Sequence, residues 1–124
     1  NDDYGKLALD KLKKDNIDTS NIIISNKHQT GVAGIHVDRN TGKNAITVVR
    51  GAPASLTVEE INTNIIKQSK IFLTQLEIPK KVTLHCLRVA KESGLINILN
   101  PAPACELNND FFRLVDYLWH VGLF

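Results

Sequence analysis

Glu77 is the side chain whose neighbours best place it for chemistry. It lies in Ile71-Phe72-Leu73-Thr74-Gln75-Leu76-Glu77-Ile78-Pro79, which opens as an apolar run rich in branched and aromatic residues. Such a run is too short for a helix and reads as a buried strand. Pro79, two residues beyond the carboxylate, suits the start of a helix. In α/β sheets ligands sit outside the carboxyl ends of the strands, so Glu77 is a candidate substrate contact. The same carboxylate could instead accept hydrogen bonds from the free N–H groups of the helix that follows. Asn100, opening Asn100-Pro101-Ala102-Pro103-Ala104, offers a similar choice. It either shapes its own turn or reaches into a cleft.

The other reactive residue types are dispersed. His28 and His120 flank turns or the chain end, and His85 sits in the middle of a helix. His36 lies on an alternating strand, opposite in direction to Ile35 and Val37, and is expected to face solvent or a partner. His85 and Cys86 are adjacent on that helix and point about 100° apart, which argues against a nucleophile–base pair. Cys86 and Cys105 have no CxxC spacing and no neighbouring histidine ligands. They read as two reduced structural thiols in a reducing compartment. Neither GxGxxG, GxxxxGK, HExxH nor GxSxG occurs, and no residue is assigned to a metal.

These residues need a scaffold. The chain of 124 residues, 43% hydrophobic and 23% charged with a net charge of +2, is expected to fold as at most one domain of ordinary size. No basic stripe points to nucleic acid, and no apolar run nears the ~20 residues of a membrane span. The first residues do not read as a secretory leader. The chain starts without Met, inside a helix start, and is expected to be a piece of a longer protein.

In chain order, Asp2 or Asp3 caps a helix to about Lys14, with Leu7, Leu9 and Leu12 partly buried and Lys11, Lys13 and Lys14 at its negative end. Asn21–Ile24 reads as a strand. Thr30–Asp38 and Lys43–Arg50 form a hairpin around Arg39-Asn40-Thr41-Gly42, completing a three-stranded patch. Ala33, Ile35 and Val37 share one face, and so do Ile46 and Val48. That apolar side needs a cover, from another subunit or a ligand. Thr57 and Glu60 form a capping box opening a helix to about Gln68, with Ile61, Ile65 and Ile66 inward. A helix from Pro79 to about Ser93 carries Val82, Leu87, Val89 and Ala90, and Gly94 ends it. Strands at Leu95–Leu99 and Leu114–Leu118 flank a short helical turn at 109–113. Strand, helix and strand at this spacing give a βαβ unit and a parallel sheet.

The succession Asp3-x-Gly5, Thr30-Gly31-Val32-Ala33, Gly51-Ala52, Gln75-Leu76-Glu77 and Asn100-Pro101-Ala102-Pro103-Ala104 resembles the middle of the ribokinase family, within the PfkB sugar and nucleoside kinases. The resemblance implies an α/β fold, part of an α/β/α sandwich with a small β-sheet lid. Residues 1–18 would be the first helix of the main domain, 19–50 the lid strands and 51–118 its central βαβ portion, with 119–124 a divergent tail. It also implies that Ala33, Ile35 and Val48 pack on a sugar and that Glu77 accepts hydrogen bonds from its hydroxyls. The implied reaction moves the γ-phosphoryl group of ATP to the 5-hydroxyl of D-ribose, with Mg²⁺ and a monovalent cation such as K⁺. A homodimer through the lid and a cytoplasmic or nuclear location are implied too.

The chain departs from the family at several points. Its Gly-Ala-Gly-Asp stretch, which carries the catalytic Asp, and its Gly-Gly-Lys-Gly-x-Asn stretch are both absent, and Pro53 replaces an Asn. No catalytic residue is therefore assigned, and residues 1–124 alone are expected to be inactive. The alternatives are a non-catalytic sugar-binding or lid-pairing module and a kinase for a related sugar or nucleoside.

Overall fold

The computed structural model describes residues 1–119. The chain divides into two compact units, Asn1–Ser55 and Leu56–Phe124.

In the first unit, α1 (Asp3–Lys14) is capped by Asp2, whose side chain accepts the Gly5 N–H, and its last turn holds Lys11, Lys13 and Lys14. Leu9 and Leu12 are half-buried, but Leu7 is exposed. Residues 7 and 9 point about 200° apart on a helix, so one covered stripe cannot hold both. Strands β1 (Val32–Val37) and β2 (Asn44–Val49) pair antiparallel, with Ala33 opposite Val48 and Ile35 opposite Ile46. The Asp38 carboxylate closes their turn by accepting the Asn40 and Thr41 N–H groups at 2.8 and 2.7 Å.

Two expectations fail here. Asn21–Ile24 is not a strand, and the patch has two strands rather than three. β-Branched composition favours a strand only where a neighbour completes the ladder. Among the described residues the stretch has none, and the Ile22 N–H turns back to the Thr19 carbonyl.

The second unit is built on the expected βαβ unit. Strands β3 (Ile71–Thr74), β4 (Ile96–Leu99) and β5 (Tyr117–Leu118) lie side by side in that order, all parallel. The last strand is shorter than predicted: α4 (Asn109–Leu114) takes up Leu114, and pairing with β4 begins only at Tyr117. Between β3 and β4, α3 (Lys80–Glu92) buries Val82, Thr83, Cys86, Leu87 and Ala90. Val82, Cys86 and Ala90 join Ile66 and Leu95 in one apolar cluster, while Leu87 joins Leu76, Leu99 and Phe111 in another. Gly94, at φ 78°, follows its end as expected.

The helix expected from Thr57 to about Gln68 is broken in two. The capping box forms, with Glu60 accepting the Thr57 N–H at 2.8 Å, but it serves a single tight turn over Val58–Glu60. Ile61 is then extended and Asn62 caps a new helix, α2 (Thr63–Lys67), by accepting the Asn64 N–H. An Asn side chain that bonds nearby backbone competes with helix continuation. Of the three isoleucines expected inward, Ile66 is buried and Ile61 half-buried, but Ile65 is exposed.

Asn97, fully buried in β4, ties the sheet together. Its amide donates to the Leu87 and Leu114 carbonyls at 2.9 and 2.8 Å. Its backbone N–H donates to Asp116, which also pairs with Lys91. The Asn97 N–H first, and Lys91 after it, hold the Asp116 carboxyl below the usual carboxylate range.

Candidate functional site

The parallel register puts the ends of β3 and β4 together. Thr74 pairs with Leu99, and the chain leaves both strands at that edge. The two departing loops are hydrogen-bonded to each other. Asn100 donates its N–H to the Thr74 carbonyl at 2.9 Å, and Leu76 donates its N–H to the Ala102 carbonyl at 3.0 Å. Leu76 is buried and anchors its loop, while Glu77 beside it is exposed. The strand itself stops at Thr74, so Glu77 stands just outside the sheet, held by a loop with a buried root.

This geometry bears on one of the two readings of Glu77, the helix cap. The helix after Glu77 begins at Pro79 and has no side-chain cap. Glu77 therefore does not cap α3, and among the described residues it makes no hydrogen bond or ion pair. The half-buried Asn100 likewise makes no side-chain hydrogen bond to its own turn. Sequence reasoning left Asn100 open between a turn-former and a cleft residue and did not assign it to the site. Its signal, a polar residue between a buried strand and two prolines, belongs equally to an ordinary turn. Together Glu77 and Asn100 present an acceptor, and an amide able to donate and accept, at the carboxyl edge of a parallel sheet. That pair suits a polyhydroxyl compound, whose hydroxyls need both.

The apolar candidates lie in the other unit and form a face of their own. Ala33 sits directly across from Val48, and Ile35 is two residues along the same strand, so the pleat brings all three to one side. Every residue of β1 and β2 is exposed, including Ile35 at 63% and Val48 at 55%. His36 is exposed on the opposite side of the ribbon, as expected.

Hollows elsewhere among the described residues include none of Ala33, Ile35, Val48, Glu77 and Asn100. One, of about 270 Å³, lies between Leu9 and Leu12 of α1 and Ile22–Ile24. Another, of about 300 Å³, is open and lies beside Lys80, Lys81 and Glu106. Ile22, Ile23 and Ile24, the run that formed no strand, line the hollow beside α1 and remain exposed.

His85 is half-buried and Cys86 buried, and burial pushes the Cys86 thiol up, away from nucleophilic use. Cys105 is free and exposed. His120 and the tail from residue 120 onward lie outside the described residues.

Comparison with known proteins agrees with the fold. The chain is 34% identical to a ribokinase from Mus musculus over 117 residues, which is 92% of this chain and 36% of that protein. A crystal structure of a ribokinase from Thermotoga maritima superposes with a TM-score of 0.82 at 39% identity, covering 97% of this chain and 38% of that one. An Arabidopsis thaliana ribokinase complexed with ribose and ATP shares the fold, with a TM-score of 0.83 at 24% identity over 96% of this chain and 40% of its own. This chain thus spans less than two-fifths of the length of its curated relative from Mus musculus. The pattern of the pfkB family carbohydrate kinases matches residues 1–119, and the chain belongs to that family.

Proposed function

We propose that these residues form the sugar-holding portion of a ribokinase, an enzyme that passes the γ-phosphoryl group of ATP to the 5-hydroxyl of D-ribose. The observation that carries the reading is Glu77, an exposed carboxylate without a partner among the described residues, at the carboxyl edge of a parallel sheet. It accepts hydrogen bonds from sugar hydroxyls, and the apolar side of the ribbon, through Ala33, Ile35 and Val48, packs on the ring. Residues 19–50 then act as a lid, and the same exposed ribbon pairs two copies into a dimer.

ATP would bring the phosphoryl group and Mg²⁺ the counter-charge such a transfer needs, with K⁺ as an activating cation. In this reading the part of these residues is to hold and orient the sugar, through Glu77 at the sheet edge and the apolar side of the ribbon. The chain contains no Gly-Ala-Gly-Asp stretch, and residues 1–124 by themselves are expected to release no ADP. An exposed, unpaired Cys105 suits a reducing compartment such as the cytoplasm or nucleus.

The test grafts residues 1–119 into the Thermotoga maritima ribokinase in place of the matching segment and follows ADP release. The folded chimera should phosphorylate D-ribose in preference to 2-deoxy-D-ribose and adenosine. Glu77→Ala in it should raise KM for ribose about 10- to 100-fold, the loss of a hydrogen bond to a charged group, with the melting temperature unchanged. A folded chimera that prefers another substrate, or an unmoved KM, would overturn the proposal.

A further inference from the structure

We infer that Asp2 is a positioning residue that ties the root of the β1–β2 ribbon to helix α1. One Asp2 oxygen accepts the Gly5 N–H at 2.8 Å and so caps the helix, while the other accepts the Thr30 N–H at 2.6 Å. Capping alone uses one oxygen. The second bond reaches across 28 residues to the last turn of chain before β1. A two-stranded ribbon with both faces exposed has little else to fix its direction.

The surroundings of this contact are built for close approach. A Cβ added at Gly5 would lie 2.8 Å from the Thr30 hydroxyl, so a side chain there would have to push Thr30 aside. The strand that returns is stapled to the same place. Ala52 donates its N–H to the Gln29 carbonyl at 2.7 Å, and Gly51 makes the bend at φ 58°. A side chain on Gly51 would run into the backbone of Gln29 and Gly31. Both ends of the ribbon therefore meet at residues 29–31, and Asp2 holds that junction on the helix. The Thr30 N–H first, and then that of Gly5, lower the Asp2 carboxyl to about 2, so the carboxylate is charged and both its oxygens accept at neutral pH.

Asp2→Asn separates the two roles. Asparagine remains a good cap through its carbonyl oxygen, but its NH₂ group would face the Thr30 N–H, donor against donor. Amide hydrogen exchange on the whole chain reads the outcome. In Asp2→Asn the amides of Thr30, Val32 and Val49 should exchange about tenfold faster or more, while those of α1 stay protected. Asp2→Ala should loosen both the helix start and the ribbon root, and Asp2→Ser should behave as Asp2→Asn does. Root amides unmoved in Asp2→Asn, or moved no more than those of α1, would refute the inference.

A second arm rests on the proposed function. If the ribbon packs on the sugar, Asp2→Asn in the chimera should raise KM for ribose while leaving kcat in place. A chimera that never turns over ribose removes the functional reading but leaves the exchange result standing. Normal exchange at the root with an altered KM would remove the latch alone.

Discussion

Helix α3 with its parallel sheet and the β1–β2 ribbon use the same residue types in opposite ways. In the second unit branched aliphatic residues are enclosed: Val82, Leu87 and Leu99 are wholly buried. In Asn1–Ser55 no residue is buried, although Ile22–Ile24, Val32, Ile35, Ile46 and Val49 are just as apolar. The sheet of the second unit has a helix laid along it, whereas the ribbon has only its own two strands. Burial here follows from having an element to pack against, and hydrophobicity alone does not produce it. A surface left apolar in this way is held in place by its ends, and the hydrogen bonds at Asp2, Thr30 and Ala52 do that.

The largest effect expected from this contrast is on stability. Leu87→Ala should lower the unfolding free energy by about 2–5 kcal/mol, the cost of a cavity at a fully enclosed leucine. Ile35→Ala on the ribbon should change it by less than about 0.5 kcal/mol. Urea titrations of both variants measure the difference, and comparable losses would show that the ribbon is enclosed in solution.

A smaller effect of opposite sign is expected at Thr83. Its hydroxyl is wholly buried on α3 and has no hydrogen-bond partner among the described residues. Thr83→Val keeps the shape and removes the stranded polar group, and should stabilise the chain by about 1 kcal/mol. A destabilised Thr83→Val would mean that the hydroxyl has a partner in solution, such as a water or the Pro79 carbonyl.

The smallest perturbation is chemical labelling. With an exposed Cys105 and a buried Cys86 whose thiol is pushed up, iodoacetamide should modify Cys105 first under native conditions and Cys86 only on unfolding. Peptide mapping reads the order, and equal labelling of both would show that the α3 core opens readily.

How much of this was legible in the sequence varies by element. α1, the hairpin, α3 and the parallel βαβ unit all follow from local signals: Asp2 as a cap, Gly42 at a turn, Pro79 and Gly94 bracketing a helix. Those signals act within a few residues, and the backbone obeys them wherever nothing stronger competes. The resemblance carried by Gln75-Leu76-Glu77 and Asn100-Pro101-Ala102-Pro103-Ala104 identified the family from the same kind of local text.

Three matters depended on contacts distant in sequence. Ile22–Ile24 has the composition of a strand, but a strand also needs a partner, and among the described residues the Ile22 N–H turns back to the Thr19 carbonyl instead. Glu77 could have capped α3 as readily as faced a ligand. That choice turns on where the loop after β3 is anchored, and the Leu76–Ala102 hydrogen bond anchors it from 26 residues away. Asp2 reads as an ordinary N-cap in sequence, because a capping motif specifies one acceptor and says nothing of the carboxylate's second oxygen. Only the tertiary structure brings Thr30 to that oxygen, so local chemistry determined the elements and long-range hydrogen bonds decided what their polar groups are free to do.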